Sequence, residues 1–277
     1  MRIMGNNKFY IGSFCITRPN WVKNNLSSAT GRNIKIAVID SGCDSFQVKD
    51  HRILKGISFI NSSEGFKLET GSDYADNLGH GSACIDIILQ IAAAADIIPI
   101  KIFGSTLETS TEILVQAINY AIEAKVDIIN LSLGTKLEEA LYPLYIICEK
   151  AKKENIICVA SNANSDINSY PAIFENVISV ASSQFEDKFD FIYQENELCE
   201  CLADGLPRDA YCISGKRKQK GGNSFAAPVI SGIVALLIEH FGKLSLDEVR
   251  SLLKQFSINN RTLFQNKSNP FKFSVDI

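Results

Sequence analysis

The sequence lacks the features that mark a partner of nucleic acids or of membranes. Its 277 residues carry 28 basic and 31 acidic side chains, so the net charge of −3 favours neither nucleic acid nor an anionic membrane as a partner. No apolar run approaches the length needed to cross a bilayer. Residues 1–21 contain no continuous apolar stretch and no small-residue cleavage site of a secretion signal. These absences predict a cytoplasmic protein.

The cysteines lack a regular spacing. Eight are scattered along the chain, which without an export signal predicts reduced thiols rather than a disulfide framework. Cys199, Cys201 and Cys212 lie close together in sequence, but a metal site needs a fourth ligand and better spacing, so free thiols are the favoured interpretation. The segment Gly79-His80-Gly81 lacks the further glycine or lysine of a phosphate-binding loop. The sequence therefore predicts no metal and no cofactor.

Apolar segments typical of strands alternate along the chain with apolar segments typical of helices. The hydrophobic content of 46% is enough for one large core. The predicted strands are 34–39, 55–60, 95–102, 126–131, 156–160 and 176–181, and the predicted helices are 79–89, 108–124, 137–153 and 224–240. This alternation predicts an α/β fold, with a mostly parallel central sheet and helices on both faces. Residues 1–33 are predicted to form an N-terminal arm or short helix, 61–79 a loop, and 34–277 a single domain. Residues 183–220 give no clear pattern.

The segment from Gly221 to Leu237 is where a loop becomes a helix. Two glycines end a basic loop, a small polar pair follows, and the next residues are apolar for about four helical turns. Ser224 thus lies beside unpaired N–H groups and the positive end of the helix dipole, where a developing oxyanion is stabilised. Pro228 is predicted to lie in the first turn, where its missing N–H has no helical partner. The alternative is an ordinary Asn/Ser cap on a core helix.

Two other polar residues lie at the ends of apolar segments. Asp40 follows the strand predicted at 34–39, and sites in open parallel sheets collect at such strand ends; the alternative is a turn Asp that caps the next element. His80, between two glycines, opens an apolar helix whose dipole disfavours the imidazolium and so suits a neutral base. It could equally be a surface histidine. The other two histidines are His51, in a charged segment, and His240, near the end of the last predicted helix.

Taken in chain order, Asp40, His80, Asn162 and Ser224 supply an acid, a base, an amide and a hydroxyl, and this order matches one of the convergent serine-nucleophile arrangements. The blocks around them resemble those of the subtilisin-type serine peptidases, the subtilase family. They are V-I-D-S-G at 38–42, G-H-G-S at 79–82, N-L-S-L-G at 130–134, A-S-N at 160–162 and G-N-S-F-A-A-P at 222–228. Five ordered blocks across residues 34–240 are a specific signal.

The resemblance implies a role for each of these residues. Ser224 is the implied nucleophile, His80 the general base and then acid, and Asp40 the carboxylate that holds the imidazole tautomer. Asn162 would donate its side-chain amide to the oxyanion, beside the backbone N–H of Ser224. The implied substrate-binding residues, which pair with the substrate backbone or flank the cleft, are Ser132, Leu133, Gly134 and Ser161.

Several positions depart from the family pattern. The family usually has Thr, Met and Gly where this chain has Asn223, Phe225 and Ser161. Ser161 is compatible with the fold if its φ stays negative, and it is expected to narrow the substrate cleft. Cys84, four residues after His80 on the same helical face, matches a free cysteine beneath the catalytic His in the proteinase K branch. No folding propeptide is expected before the first strand, and the calcium-binding loops of the family are not recognisable.

The leading hypothesis is a cytoplasmic serine endopeptidase that acts through an acyl-enzyme on a peptide or protein substrate. A precursor peptide is the candidate substrate, by resemblance to intracellular subtilases associated with modified-peptide biosynthesis. The alternative is a catalytically silent subtilase fold that binds peptides or serves as a scaffold, although all four catalytic positions are filled. A weaker third hypothesis is a general turnover protease, which would be hazardous inside a cell if it were unselective.

Overall fold

The computed structural model describes residues 8–11, 14–17, 22, 25–26, 28–45, 47, 49–61, 68–163 and 169–260. The strands in these ranges are β1 Lys8–Ile11, β2 Phe14–Thr17, β3 Lys35–Asp40, β4 Ile57–Asn61, β5 Leu68–Gly71, β6 Asp96–Lys101, β7 Ile128–Leu131, β8 Ile157–Ser161, β9 Ile178–Ser183, β10 Phe191–Tyr193, β11 Cys201–Asp204, β12 Arg208–Tyr211 and β13 Arg217–Lys220. The α-helices are α1 His80–Ile91, α2 Thr111–Glu123, α3 Leu141–Lys153, α4 Asn223–Phe241 and α5 Leu246–Phe256.

Nine of the strands form one sheet in the order β10-β11-β9-β8-β7-β3-β6-β4-β5. The edge strands β10 and β5 run antiparallel to their neighbours, and the strands between them are parallel. The central strands are apolar on both faces because helices cover both sides. Since the carboxyl ends of parallel strands share one edge of a sheet, the residues that follow β3, β7 and β8 meet there.

The helices divide between the two faces of the sheet. On one face α1 and α4 pack against each other and form the larger core with the N-terminal segment and α5. On the other face α2 and α3 form a second core. The predicted α/β fold, with a mostly parallel sheet between helices, is therefore confirmed.

The structure also contains elements that the sequence did not predict. The segment 61–79, expected to be a loop, contains β5, which pairs antiparallel with β4. The unassigned residues 183–220 contain β10 to β13, and α5 follows the last predicted helix. In the N-terminal segment, β1 and β2 form an antiparallel pair, and Val22 and Leu26 are buried in the larger core. The division of the chain at residue 34 stays a prediction.

Helix α4 corrects two expectations. It spans 19 residues and is long and apolar enough to cross a membrane, so the expectation that no segment reaches this length is wrong. However, 78% of its most apolar 18-residue stretch is buried inside the protein, as in a core helix. Pro228 is the sixth residue of α4 and not part of its first turn. A proline there removes the N–H that would bond to the backbone oxygen of Ser224 four residues earlier.

Candidate active site

Polar residues of the predicted site lie at the carboxyl edge of the sheet. Asp40 ends β3, Ser132 follows β7, and Asn162 follows β8. These strands are neighbours and run parallel, so residues far apart in sequence come together. His80 is the first residue of α1 and Ser224 the second of α4. The strand ends and helix starts predicted from the sequence are thus correct for all five residues.

The His80 imidazole is bound to the Asp40 carboxylate. Its Nδ1 lies 2.8 Å from Oδ1 and 2.9 Å from Oδ2 of Asp40. Asp40 is completely buried and also accepts a hydrogen bond from the backbone N–H of Ser41 at 2.7 Å. Because an ionised carboxylate is only an acceptor, Nδ1 of His80 carries the hydrogen, which leaves the lone pair of a neutral ring on Nε2.

Asp40 also sets the proton affinity of His80. Burial alone would lower the pKa of His80, but the negative charge of Asp40, together with Cys84, outweighs burial and raises the pKa above its ordinary value. The helix dipole, expected to disfavour the imidazolium, therefore does not decide the direction. An imidazolium formed at this position would be stabilised by the Asp40 carboxylate.

Asp76 connects the Asp40 strand to the His80 helix, and sequence reasoning missed this residue. Its Oδ1 accepts hydrogen bonds from the N–H groups of Leu78 and Gly79 at 2.9 and 2.8 Å. Its Oδ2 accepts bonds from the N–H and the hydroxyl of Ser82 at 2.9 and 2.6 Å. Burial alone would raise the pKa of Asp76, but these hydrogen bonds lower it below the ordinary value. An Asp in a polar, Gly-containing loop gives no sequence signal of such a role.

Glycines allow the Asp40 and His80 elements to approach closely. A Cβ on Gly81 would lie 2.4 Å from the backbone oxygen of Gly42 and 3.2 Å from Cβ of Asp40. Gly42 itself has a φ of 112°, a backbone conformation that residues with a Cβ rarely adopt. The glycines in the blocks at 38–42 and 79–82 therefore have a steric reason.

Ser224 lies in the first turn of α4, is half-buried, and lines the same cavity as His80. Its backbone N–H has no partner within the helix because of this position. The backbone oxygen of Ser224, which Pro228 cannot bind, lies 3.7 Å from Sγ of Cys84. The ring of the next residue, Phe225, packs on His80 with ring centroids 4.9 Å apart. Helices α1 and α4 thus contact each other at two points, between His80 and Phe225 and between Cys84 and Ser224.

Cys84 lies directly beneath the Asp40–His80 pair, as its position one turn after His80 predicts. Its Sγ is 3.7 Å from Oδ2 of Asp40 and 3.9 Å from Nδ1 of His80. Burial, with the charge of Asp40, raises the pKa of Cys84, so the thiol stays protonated. A carboxylate oxygen of Asp40, a ring nitrogen of His80 and Sγ of Cys84 all lie within 4.8 Å of one another.

Asn162 is 5% exposed, and its backbone is held on both sides. Its N–H donates to the backbone oxygen of Val180 at 2.8 Å. Its own backbone oxygen accepts a hydrogen bond from Nδ2 of Asn223 at 3.1 Å. Among the residues described, Oδ1 of Asn162 is a buried atom without a hydrogen-bond partner.

A cavity of about 330 Å³ lies next to these residues. His80 and Ser224 line it, and so do all three residues of the predicted backbone-pairing segment, 132–134. Its other walls are the apolar side chains of Phe103, Leu107, Leu114 and Leu137 and the polar segment 108–111. Ser161, predicted to flank the cleft, is buried at the end of β8 and does not line this cavity.

The clustered cysteines do not converge on one point. Sγ of Cys199 contacts the backbone oxygen of Cys201 at 3.3 Å, whereas Sγ of Cys212 contacts the backbone oxygen of Gly79 at 3.8 Å. None of the seven cysteines whose side chains the structure describes forms a disulfide. The thiols of Cys199 and Cys212 therefore have different surroundings.

Comparison with known proteins identifies the class of this chain. A model of the subtilase family matches residues 31–272. An intracellular serine protease of Paenibacillus polymyxa is 31% identical over 225 residues, which are 75% of this chain and 67% of that protein. The major intracellular serine protease of Bacillus subtilis (strain 168) is 30% identical over 257 residues, 85% of this chain and 77% of that protein. The fold is similar to the crystal structure of a cold-adapted subtilisin-like serine proteinase, with a TM-score of 0.67 at 18% identity over 84% of this chain and 87% of that chain.

The parallel sheet, with an aspartate bound to a histidine at its carboxyl edge and a serine that lines the same cavity as this histidine, has the form of a serine peptidase. The match to the family model and to two relatives of at least 30% identity makes this definite. The chain belongs to the subtilase family and is a subtilisin-like serine endopeptidase.

Proposed function

We propose that this endopeptidase uses Ser224 as its nucleophile, His80 as its general base and Asp40 as the carboxylate that orients His80. The observation that supports this assignment best is the pair of hydrogen bonds, 2.8 and 2.9 Å long, between Nδ1 of His80 and Asp40, beside a cavity that Ser224 also lines. Because Nδ1 donates to Asp40, the lone pair on Nε2 can accept the Ser224 proton.

The reaction then proceeds in two halves. Oγ of Ser224 attacks the carbonyl carbon of the peptide bond while His80 takes its proton, and a tetrahedral oxyanion forms. The oxyanion collapses, the amine leaves with the proton from His80, and the acyl group stays on Ser224. Water attacks the acyl-enzyme while His80 takes its proton, and His80 returns that proton to Oγ of Ser224 as the acid leaves. In both halves, the backbone N–H of Ser224 and the side-chain amide of Asn162 stabilise the oxyanion.

The substrate is proposed to bind as an extended strand. The backbone of residues 132–134 lines the cavity beside His80 and Ser224, and it follows β7 at the open edge of the sheet. A peptide laid against it would form main-chain hydrogen bonds of the β-augmentation type. Leu107 and Leu137 line the same cavity and are more than half exposed, at 53% and 55%. They favour an apolar substrate side chain at this position.

The biological substrate is proposed to be a matched precursor peptide inside the cell. Two relatives are named intracellular serine proteases. An apolar pocket discriminates by only about 1–3 kcal/mol per methylene, so pairing along several substrate residues would have to add selectivity. We expect kcat/KM for the leader segment of the matched precursor peptide to be far above that for denatured casein in the same buffer. Comparable values on a set of candidate leader peptides and on casein would mean a general peptidase.

A fluorophosphonate probe tests the catalytic assignment. The wild-type protein should be labelled on Ser224, as located by peptide mass spectrometry, and Ser224→Ala should take up no label. The Ser110→Ala variant is the matched control, because Ser110 lines the same cavity but has no part in the proposed mechanism, and it should leave labelling intact. An unlabelled but folded wild-type protein would instead support the silent peptide-binding module.

A further inference from the structure

Asn223, which stands where the family usually has Thr, makes a set of hydrogen bonds that a threonine cannot make. Its Nδ2 donates to the backbone oxygens of Asn162 and Ala163, at 3.1 and 3.0 Å. Its Oδ1 accepts a hydrogen bond from the backbone N–H of Ser182 at 2.7 Å. The residue directly before Ser224 is thereby bound to the ends of both β8 and β9.

The three partners define the orientation of the Asn223 amide. Two of them are carbonyl oxygens, which can only accept, and the third is an N–H group, which can only donate. A carboxamide is the only side chain of this size with two hydrogens on one atom and an acceptor on the other. A threonine hydroxyl has one hydrogen to donate, and an aspartate has none. All three contacts are to backbone atoms, so they fix the positions of the partner backbone segments rather than the rotamer of a partner side chain.

We propose that Asn223 is a positioning residue that holds Asn162 in place for the oxyanion, a role that rests on the function proposed above. The two oxyanion donors come from chain segments about sixty residues apart, and Asn223 joins them because it adjoins Ser224 and binds Asn162. The Asn162 backbone is fixed by Val180 through its N–H and by Asn223 through its oxygen.

The Asn162 side chain depends on this backbone anchoring because its Oδ1, although buried, has no hydrogen-bond partner among the described residues. A carboxamide held mainly through its backbone moves when the backbone moves. A displacement of about 1 Å at a catalytic group can cost about a hundredfold in rate, so loss of the Asn223 contacts should be visible in kcat.

The test compares Asn223→Asp with a matched buried control. Asn223→Asp keeps the shape and the acceptor for Ser182, but it places an oxygen against the carbonyls of Asn162 and Ala163. We expect kcat to fall by about ten- to a hundredfold, with little change in KM, because the oxyanion donors act mainly in the transition state. The control is Asn176→Asp, which should lower the melting temperature and leave kcat of the folded enzyme unchanged.

Asn176 suits this purpose because it is 1% exposed and lies before the amino end of β9, at the sheet edge opposite the site. Its Nδ2 donates to the backbone oxygen of Tyr145 and to Oε2 of Glu149, at 3.4 and 3.2 Å. The substitution thus places one carboxylate against similar acceptor oxygens elsewhere in the fold. If Asn223→Asp is insoluble, Asn223→Ala, which removes the contacts without repulsion, should show the same fall in kcat to a smaller extent.

A double-variant cycle separates a positioning role from a structural one. If Asn223 acts through Asn162, Asn223→Asp should cost less than about threefold in kcat when Asn162→Ala is already present. An equal loss in both backgrounds, or an unchanged kcat in Asn223→Asp, would overturn the positioning role and leave the proposed function standing. If Asn162→Ala itself has a normal kcat, the oxyanion assignment fails and the positioning role fails with it.

Discussion

Oδ1 of Asp76 accepts a hydrogen bond from Oγ of Ser41 at 2.8 Å, and Ser41 directly follows Asp40. Oγ of Ser41 in turn accepts the backbone N–H of Gly81, also at 2.8 Å, next to His80. Since Asp76 also binds N–H groups of the first turn of α1, one buried carboxylate connects the residues adjoining Asp40 with those adjoining His80.

We expect Asp76→Asn to lower the free energy of unfolding at pH 7 by about 2–4 kcal/mol, because the amide cannot accept from every donor that now surrounds the carboxylate and leaves some of them unpaired. Urea denaturation followed by circular dichroism measures this change. Asp73→Asn is the matched control, since Asp73 lies exposed in the same loop and accepts one bond, from the N–H of Ala75. Similar losses in both variants would contradict the role of Asp76.

The unfolding free energies of the wild type and of Asp76→Asn should also depend differently on pH. The pKa of Asp76 is lowered in the folded state, so its stabilising contribution is present above the unfolded pKa and is lost as the pH falls through the folded value. The difference in unfolding free energy between the wild type and Asp76→Asn should therefore shrink below about pH 4. A difference that stays constant from pH 7 to pH 3 would contradict the lowered pKa.

Ser224→Ala and His80→Ala should each lower peptide hydrolysis by several orders of magnitude, and the double variant should lose little more. The two side chains act as one unit in the proposed mechanism, so removing the second after the first has nothing left to disrupt. Steady-state kinetics on a fluorogenic peptide measures the three variants. Near-additive losses, or appreciable activity of Ser224→Ala, would show that the assignment is incorrect.

The imidazole of His80 should titrate at a lower pH when the charge of Asp40 is removed. Asp40 raises the pKa of His80 above its ordinary value, and Asp40→Asn keeps the shape but not the charge. The titration can be followed by NMR in the Ser224→Ala background, which prevents self-digestion, and the sequence has only three histidines. An unchanged or raised pKa in the Ser224→Ala/Asp40→Asn protein would refute the electrostatic explanation.

The raised pKa of His80 also predicts the direction in which the pH dependence of activity is shifted. The general base must be neutral, so the acidic limb of the profile of kcat/KM against pH should lie above the ordinary histidine value of about 6.5. A profile that is already flat at pH 6 would contradict this expectation.

Bulky mercurials should inhibit the enzyme in a time-dependent manner, although its proposed nucleophile is a serine. Sγ of Cys84 lies 3.9 Å from Nδ1 of His80, so a mercury atom on this thiol should displace the imidazole. The Cys84→Ser variant should keep its activity in the presence of the mercurial. Cys43→Ser is the matched control, because Cys43 is also buried but contacts Gln47; it should remain sensitive. Sensitivity that persists in Cys84→Ser would assign the effect to another residue.

The sequence predicted the elements that carry the site because each of them combines two local signals. Asp40 and Ser224 adjoin long apolar segments, and glycines beside them permit close approach of the backbone. Periodicity failed between residues 183 and 220, where β13 consists of the sequence R-K-Q-K with no buried residue. That strand is held by pairing with β12 rather than by an apolar face.

Other features depended on contacts that no local pattern encodes. The contacts of Asp76 with Ser41 and of Asn223 with Asn162 join segments that are distant in sequence or separated by a loop. By contrast, α5 had a readable signal, since Ser245 and Glu248 form a capping box before apolar residues at helical spacing. The sequence thus contained the evidence for α5, whereas the surroundings of Asp76 became visible only in the folded chain.

The place of α4 in the chain has a consequence for how the enzyme is made. All nine strands of the sheet precede α4, yet residues Phe225 to Ile238 of this helix are buried and cover one face of that sheet. During synthesis, the strands leave the ribosome before the helix that shields them, and contacts between such distant segments form slowly. The nascent chain therefore exposes an apolar sheet face, suited to chaperone binding, before it contains Ser224, the proposed nucleophile. With this assignment, the peptidase cannot cleave its neighbours on the ribosome until α4 has been translated and docked.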